Sequence, residues 1–251
     1  MSLDVHGARI LLEIPALGGI VITETVVNTW IVMAVIIGLC LFLTHNMQVH
    51  ARTKRQIIAE FIVKKVNAMI GNNMGKRFEK GGFYPPLIAA IMSLSALCSL
   101  SSMIGMYAPT SDLSTLLGWA LMVFVLITYN KFRSGGVLGY IKGYFEPIPV
   151  LLPFNIISEF ATPLSMAFRH FGNIASGSVI TALLYAALAA ASHGLLSLIP
   201  GAVGQLLAQI PILQVGIPAV FSVYFDLFSS LLQAFIFCML TMMYIGSAAE
   251  G

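Results

Sequence analysis

Arg169 is the only lysine or arginine in the last 109 residues of this 251-residue chain, and apolar positions extend more than ten residues to either side of it. Placing an arginine at the depth of a bilayer costs at least about 2.5–3.5 kcal/mol on insertion scales. Its surroundings are too long and too apolar for the side chain to snorkel to a headgroup. The nearest acid in sequence, Glu159, stands ten positions away, which on a helix is about 15 Å along the axis and about 80° around it, so no direct ion pair is expected. An arginine cannot lose its proton in a protein. The chemistry open to it is that of a fixed positive charge acting on an anion or on a titrating carboxyl group.

Other polar residues fall around it with helical spacing. Asn173 follows at i+4 and Ser165 precedes at i−4, on one face of a helix. In a second apolar segment Asp226 and Gln233 are seven apart, hence on one face two turns apart. Antiparallel packing of the two segments would bring Gln233 toward Arg169 and leave Asp226 toward the other side. An intramembrane carboxylate marks a hydrated path by default, which is the reading for Asp226. For Gln233, interhelical adhesion and a place in an ion path stand side by side, and for Glu159 so do a path entrance and a helix anchor. His170 and His193 read as packing residues. Gly172, Ala175, Ser176 and Gly177 suit close approach of a neighbouring helix, either within the chain or on a partner.

The rest of the chain tells what must hold these residues. Hydrophobic residues make up 58% and charged residues 9% of it, against about a quarter charged in soluble domains. So few charges cannot coat a water-soluble globule, so lipid must be the solvent. Val26 to Thr44 is uncharged and predicts a first span. No basic leader with a short apolar core precedes it, and the expectation is a permanent span rather than a signal peptide. Lys54–Ile70 carries Ile57, Ile58, Phe61, Ile62, Val66, Met69 and Ile70 at helical spacing among Lys54, Arg55, Glu60, Lys64 and Lys65. This predicts an amphipathic helix on the membrane surface. Further spans are expected at about 84–107 and 113–129, the latter ended by Asn130, Lys131, Arg133 and the Gly135–Gly136 pair. The segment to Pro149 is expected as a loop or short surface helix.

Two segments are too long for upright spans. About 150–191 and about 217–247 would form helices of roughly 63 Å and 46 Å, against a hydrocarbon core of about 30 Å. Lacking charged ends, they predict a strongly inclined helical hairpin within the membrane. The expected fold is therefore an all-α integral membrane protein. About five membrane helices and a surface helix form a single membrane domain over 1–251.

The cations also orient it. Eight of the thirteen Lys and Arg residues lie between Arg52 and Lys80, and three between Lys131 and Lys142. An N-terminus outside and a C-terminus in the cytoplasm put both basic loops inside. The net charge of +3 points to no nucleic acid. Cys40, Cys98 and Cys238 sit in apolar runs without paired spacing and read as buried small hydrophobes. No HExxH, GxSxG or paired-aspartate pattern supports an intramembrane enzyme. No internal repeat supports a secondary transporter, and a structural scaffold would not need a solitary arginine.

The run Pro163-Leu-Ser-Met-Ala-Phe-Arg169-His-Phe-Gly-Asn173 resembles the signature of subunit a of F-type ATP synthases. So does Leu232-Gln233-Ala-Phe-Ile-Phe237, with weaker matches at Glu146-Pro147 through Asn155 and at Pro109-Thr-Ser-Asp112. The resemblance covers nearly the whole chain. It implies a non-catalytic, ion-translocating stator subunit in a bacterial plasma membrane, and no cofactor. Its implied partners are a ring of c subunits, a b-subunit peripheral stalk, the F1 sector through the complex, and lipid. Arg169 would face the ring's mid-membrane carboxyl groups, with Asn173 and Gln233 close by and Asp226 at a position that is acidic or histidine in the family. Ser178 stands where Glu or His is common and His170 where Leu is more usual, so an outer path is expected to rely on Asp226, with Ser178 and water.

Overall fold

The computed structural model describes residues 7–15, 20–49, 53–79, 82–145, 148–197, 214, 216, 220, 221 and 223–250. Among these, five helical segments are long and apolar enough to cross a membrane, and the chain is an all-α integral membrane protein apart from one small hairpin. That hairpin pairs β1 (Ile10–Ile14) with β2 (Ile20–Thr23) in antiparallel register, Leu12 opposite Ile22 and Ile14 opposite Ile20. No strand was expected there, because Ile10-Leu-Leu-Glu-Ile14 does not alternate.

β2 leads directly into α1 (Glu24–Thr44), whose first-turn Glu24 suits the positive end of the helix dipole. The side chain of Thr53 accepts from the Gln56 amide and starts α2 (Lys54–Met74). Gly75, at φ 97°, ends it in a conformation that favours glycine. Pro85 and Pro86 occupy the first turn of α3 (Tyr84–Leu100), where missing N–H groups cost nothing. A 3-10 turn (Ser101–Ile104) continues α3, in place of the α-helix expected to run to 107. Asp112 caps α4 (Leu113–Gly143), its Oδ1 accepting from the Ser114 amide at 3.0 Å and hydroxyl at 2.7 Å.

α4 departs from expectation. The Gly135–Gly136 pair does not end it near Tyr129. Gly136 takes φ 65° and ψ 179°, and the chain kinks there and resumes helix to Gly143. The left-handed φ is open to glycine at no steric cost. A 3-10 turn (Pro149–Leu151) then enters α5 (Leu152–Ser197), which contains Pro163. At 46 residues α5 is roughly 69 Å long. A π-helical turn (Val223–Ser229) leads into α6 (Ser230–Glu250). The start of the helix expected at 217, and most of the loop at 192–216, lie outside the described residues.

The core joins α2, α3, α4 and α6 through Ile70, Met74, Ile88, Ile91, Val123, Phe237, Met242 and Ile245. α2 keeps the amphipathic character drawn from its periodicity and places part of its apolar stripe in this core. Its N-terminal half leaves Ile57, Ile58, Phe61 and Ile62 exposed, while Val66, Ile70 and Met74 are buried. The contact with α6 is close: a Cβ on Gly246 would sit 3.0 Å from Met74 Cα and 3.1 Å from the Asn73 carbonyl oxygen. The Arg77 guanidinium donates to the Ala249 carbonyl, placing a cation at the negative end of α6.

Candidate ion path on the long helix

α5 is the least covered of the five apolar helices, with 6% of its most apolar window buried. Its exposed positions include Ser165, Phe168, Arg169, Gly172, Ser176, Val179, Ile180 and Leu183, which recur at steps of three and four and make one stripe. Arg169 lies in that stripe, so its charge is turned away from the chain's own core. A cavity of about 240 Å³ beside it is lined by Ser158, Thr162, Ser165, Arg169 and Tyr244, among others.

A larger cleft of about 480 Å³ lies toward the start of α5 and shares Ser158 and Thr162 with the first. Glu159 lines it, together with Lys131, Tyr140, Tyr144 and Asn155. The Glu159 side chain is 4% exposed and forms an ion pair with Lys131 at 3.0 Å. The Tyr144 hydroxyl donates to the other carboxylate oxygen and hydrogen-bonds to the Tyr140 hydroxyl. Burial, then its bonds to Glu159 and Tyr140, hold the Tyr144 phenol above its ordinary range, so it stays a donor. Asn155 fixes the approach by donating to the Tyr144 carbonyl at 2.9 Å. Pro163 has no N–H for the Glu159 carbonyl four residues earlier, which loosens the helix at that point.

Antiparallel register joins α5 to the last helix. Ser229 Oγ donates to Asn173 Oδ1 at 2.8 Å, and a Cβ on Gly177 would meet the Phe225 ring at 3.5 Å. These pairs are one turn apart and run in opposite directions along the two segments. Gln233, one turn beyond Ser229 on the last helix, is buried at 7% exposed. Asn173 thus meets the segment that leads into the last helix. Asp226 falls in the π-helical turn, and the direction of its side chain lies outside the described residues. Ser178 is exposed and donates to the Ala175 carbonyl of its own helix at 2.8 Å.

His170 points the other way, into the core. It is 0% exposed, with Nε2 at 3.5 Å from Ser99 Oγ and its ring against Trp119 and Phe237. Ser99 is in turn 3.1 Å from Thr110. At the far end of the bundle Thr25 donates to Asp112 at 3.1 Å and Asn28 to the Tyr107 carbonyl at 2.8 Å, tying α1 to the turn before α4. Burial, then the charges of Asp112 and Glu24, raise the Tyr107 phenol above its ordinary value. Lys131, Tyr140 and Tyr144 were missed from the sequence. The available signal was the unusual glycine pair between a lysine and two tyrosines four apart.

A helical membrane protein with an arginine on a polar track along its least covered helix fits the class of ion-handling subunits. The chain is a member of the ATP synthase A chain family, whose model matches residues 26–246. It is 34% identical to "ATP synthase subunit a, sodium ion specific" of Propionigenium modestum, over 93% of this chain and 76% of that protein. It is 30% identical to "ATP synthase subunit a" of Moorella thermoacetica, covering 95% and 96%, and 34% identical to "ATP synthase subunit a 1" of Hahella chejuensis, covering 93% and 87%. As a member it is an ion-translocating part of the membrane sector and works in a complex with other ATP synthase subunits.

Proposed function

We propose that this chain is the stator of a rotary ATP synthase and supplies two ion half-channels, one from each side of the membrane, to the carboxyl groups of a c-subunit ring. The observation that carries this reading is the position of Arg169 on the exposed stripe of α5, at the end of a polar track from Glu159. Each ring carboxyl group takes up a proton or sodium ion from one half-channel and releases it to the other after nearly a full turn. The inner half-channel runs from Glu159 past Ser158, Thr162 and Ser165 to Arg169. Asp226, Asn173, Gln233 and Ser178 belong to the outer one or to its junction with the ring. α5 and α6 lie inclined in the bilayer, with the N-terminus outside and the C-terminus in the cytoplasm. The b-subunit stalk and the F1 sector complete the machine, and any nucleotide chemistry belongs to them.

Arg169 acts through charge. At about 4 Å and an effective dielectric near 20 it favours an ionised ring carboxylate by about 4 kcal/mol. That is about three pKa units, enough to discharge the ring site as it passes. The same charge bars an ion from crossing directly between the half-channels. Each charge that leaked through 100 mV would forfeit about 2.3 kcal/mol of drive. The test is ATP-driven ion pumping in vesicles carrying the assembled complex, wild type beside Arg169→Ala. Loss of pumping with assembly intact is expected, and normal coupled pumping would refute the assignment.

A further inference from the structure

Both oxygens of the Glu159 carboxylate are occupied. Oε1 takes the Lys131 ammonium at 3.0 Å and Oε2 takes the Tyr144 hydroxyl, so a cation arriving at this residue meets a carboxylate already engaged at both oxygens. We propose that Lys131 and Tyr144 form a latch on Glu159, and that the transported cation reaches the carboxylate only by displacing the Lys131 ammonium. This rests on the reading of Glu159 as part of the inner half-channel.

The geometry suits exchange rather than a permanent brace. The Lys131 side chain is 38% exposed while Glu159 is 4% exposed, so the ammonium can retreat toward water and the carboxylate cannot. Lysine is a compact charge on a flexible stem, and its Nζ already lies 5.8 Å from the centre of the Tyr140 ring, a cation–π resting place beside the pair. Gly135, Gly139 and Gly143 line the same cleft, leaving space free of side chains around the moving ammonium. The kink at Gly136 makes this possible by turning Tyr140 and Tyr144 back toward Glu159. Ser134, Ser247 and Ala248 also line the cleft and bring no charge. Among the described residues, Lys131, Tyr140 and Tyr144 are the titratable groups of the cleft that face Glu159.

A buried carboxylate must stay paired, so arrival of the cation and departure of the ammonium are coupled. With a proton, an O–H bond forms on the carboxyl group and the ammonium leaves as a free cation. With sodium, the ion takes the place of the ammonium on the same oxygens. Either way charge at the mouth is conserved, and the latch sets the cation concentration at which the path fills.

The test is ATP-driven membrane potential in inverted vesicles carrying the whole complex, with assembly checked by copurification of the ring and soluble sector. One arm varies pH in sodium-free medium, and the other varies sodium at fixed pH. The arm that titrates pumping identifies the cation. Lys131→Gln removes the ammonium that competes for the carboxylate, and is expected to reach half-maximal pumping at a roughly severalfold lower cation concentration. Tyr144→Phe shifts it the same way by less, and Lys131→Arg retains the wild-type value. An unchanged half-saturation in Lys131→Gln and Tyr144→Phe overturns the latch, whether or not the maximal rate falls. If Lys131→Gln does not assemble, Tyr144→Phe decides alone. Arg169→Ala in the same membranes tests the underlying reading separately, because persistent pumping there removes the half-channel itself.

Discussion

Gly246→Ala is expected to loosen the chain at the contact between α2 and α6. The added Cβ would lie 3.0 Å from Met74 Cα and 3.1 Å from the Asn73 carbonyl oxygen. Both are backbone atoms, so no side chain can swing aside, and one helix must move by several tenths of an ångström. Met74, Ile245 and Met242 are all buried at this contact, and the displacement spreads into a filled core. Overpacking of this kind typically costs about 1–3 kcal/mol. At about 1.4 kcal/mol per factor of ten, the folded-to-unfolded ratio falls by about five- to 150-fold. The measurement is unfolding of the purified chain in mild detergent by added denaturing detergent, followed by circular dichroism. Gly118→Ala is the control, since nothing lies within 4 Å of its Cβ position. Equal stability of Gly246→Ala and wild type would refute the close helix contact and with it the account of why α2 is partly buried.

Two further substitutions separate the path from the scaffold. Gly172→Leu adds bulk on the exposed stripe, where a Cβ meets nothing within 4 Å; the purified chain should unfold as wild type does, while ATP-driven pumping by the complex falls severalfold, because the proposed function turns this stripe toward the ring. Asn173→Ala removes the 2.8 Å bond from Ser229, worth roughly 0.6–1.7 kcal/mol between membrane helices. It should lower stability in the same unfolding assay by about that amount and reduce pumping without abolishing it.

What could be read from the sequence was whatever carries a large energetic cost in lipid. Arg169 stood out because no apolar helix retains an arginine without cause, and Asn173 stood out by its i+4 spacing from it. The partners of Glu159 were hidden for the opposite reason. Lys131 and the glycine pair looked like an ordinary helix end, because sequence alone does not say whether a glycine stops a helix or bends it. Only the positive φ of Gly136 folds Tyr140 and Tyr144 back over Glu159. The amphipathic stripe of α2 was legible, but not that its second half meets α6. The β-hairpin escaped because its strands lack a clean alternation.

The pairing of α5 with the last helix also works as a ruler. Asn173 with Ser229 and Gly177 with Phe225 fix how far along α6 the arginine sits, and a slip of one turn would displace it by about 5.4 Å. α6 is held at its far end by Met74 against Gly246 and by Arg77 on the Ala249 carbonyl. Those two holds belong to the basic, amphipathic stretch 54–77, whose lysines and arginines favour the plane of the lipid headgroups. The height of Arg169 is thereby surveyed from that plane, through α2 and then α6. A bilayer that thickened or thinned would carry the benchmark with it and leave the charge at a constant distance from that surface.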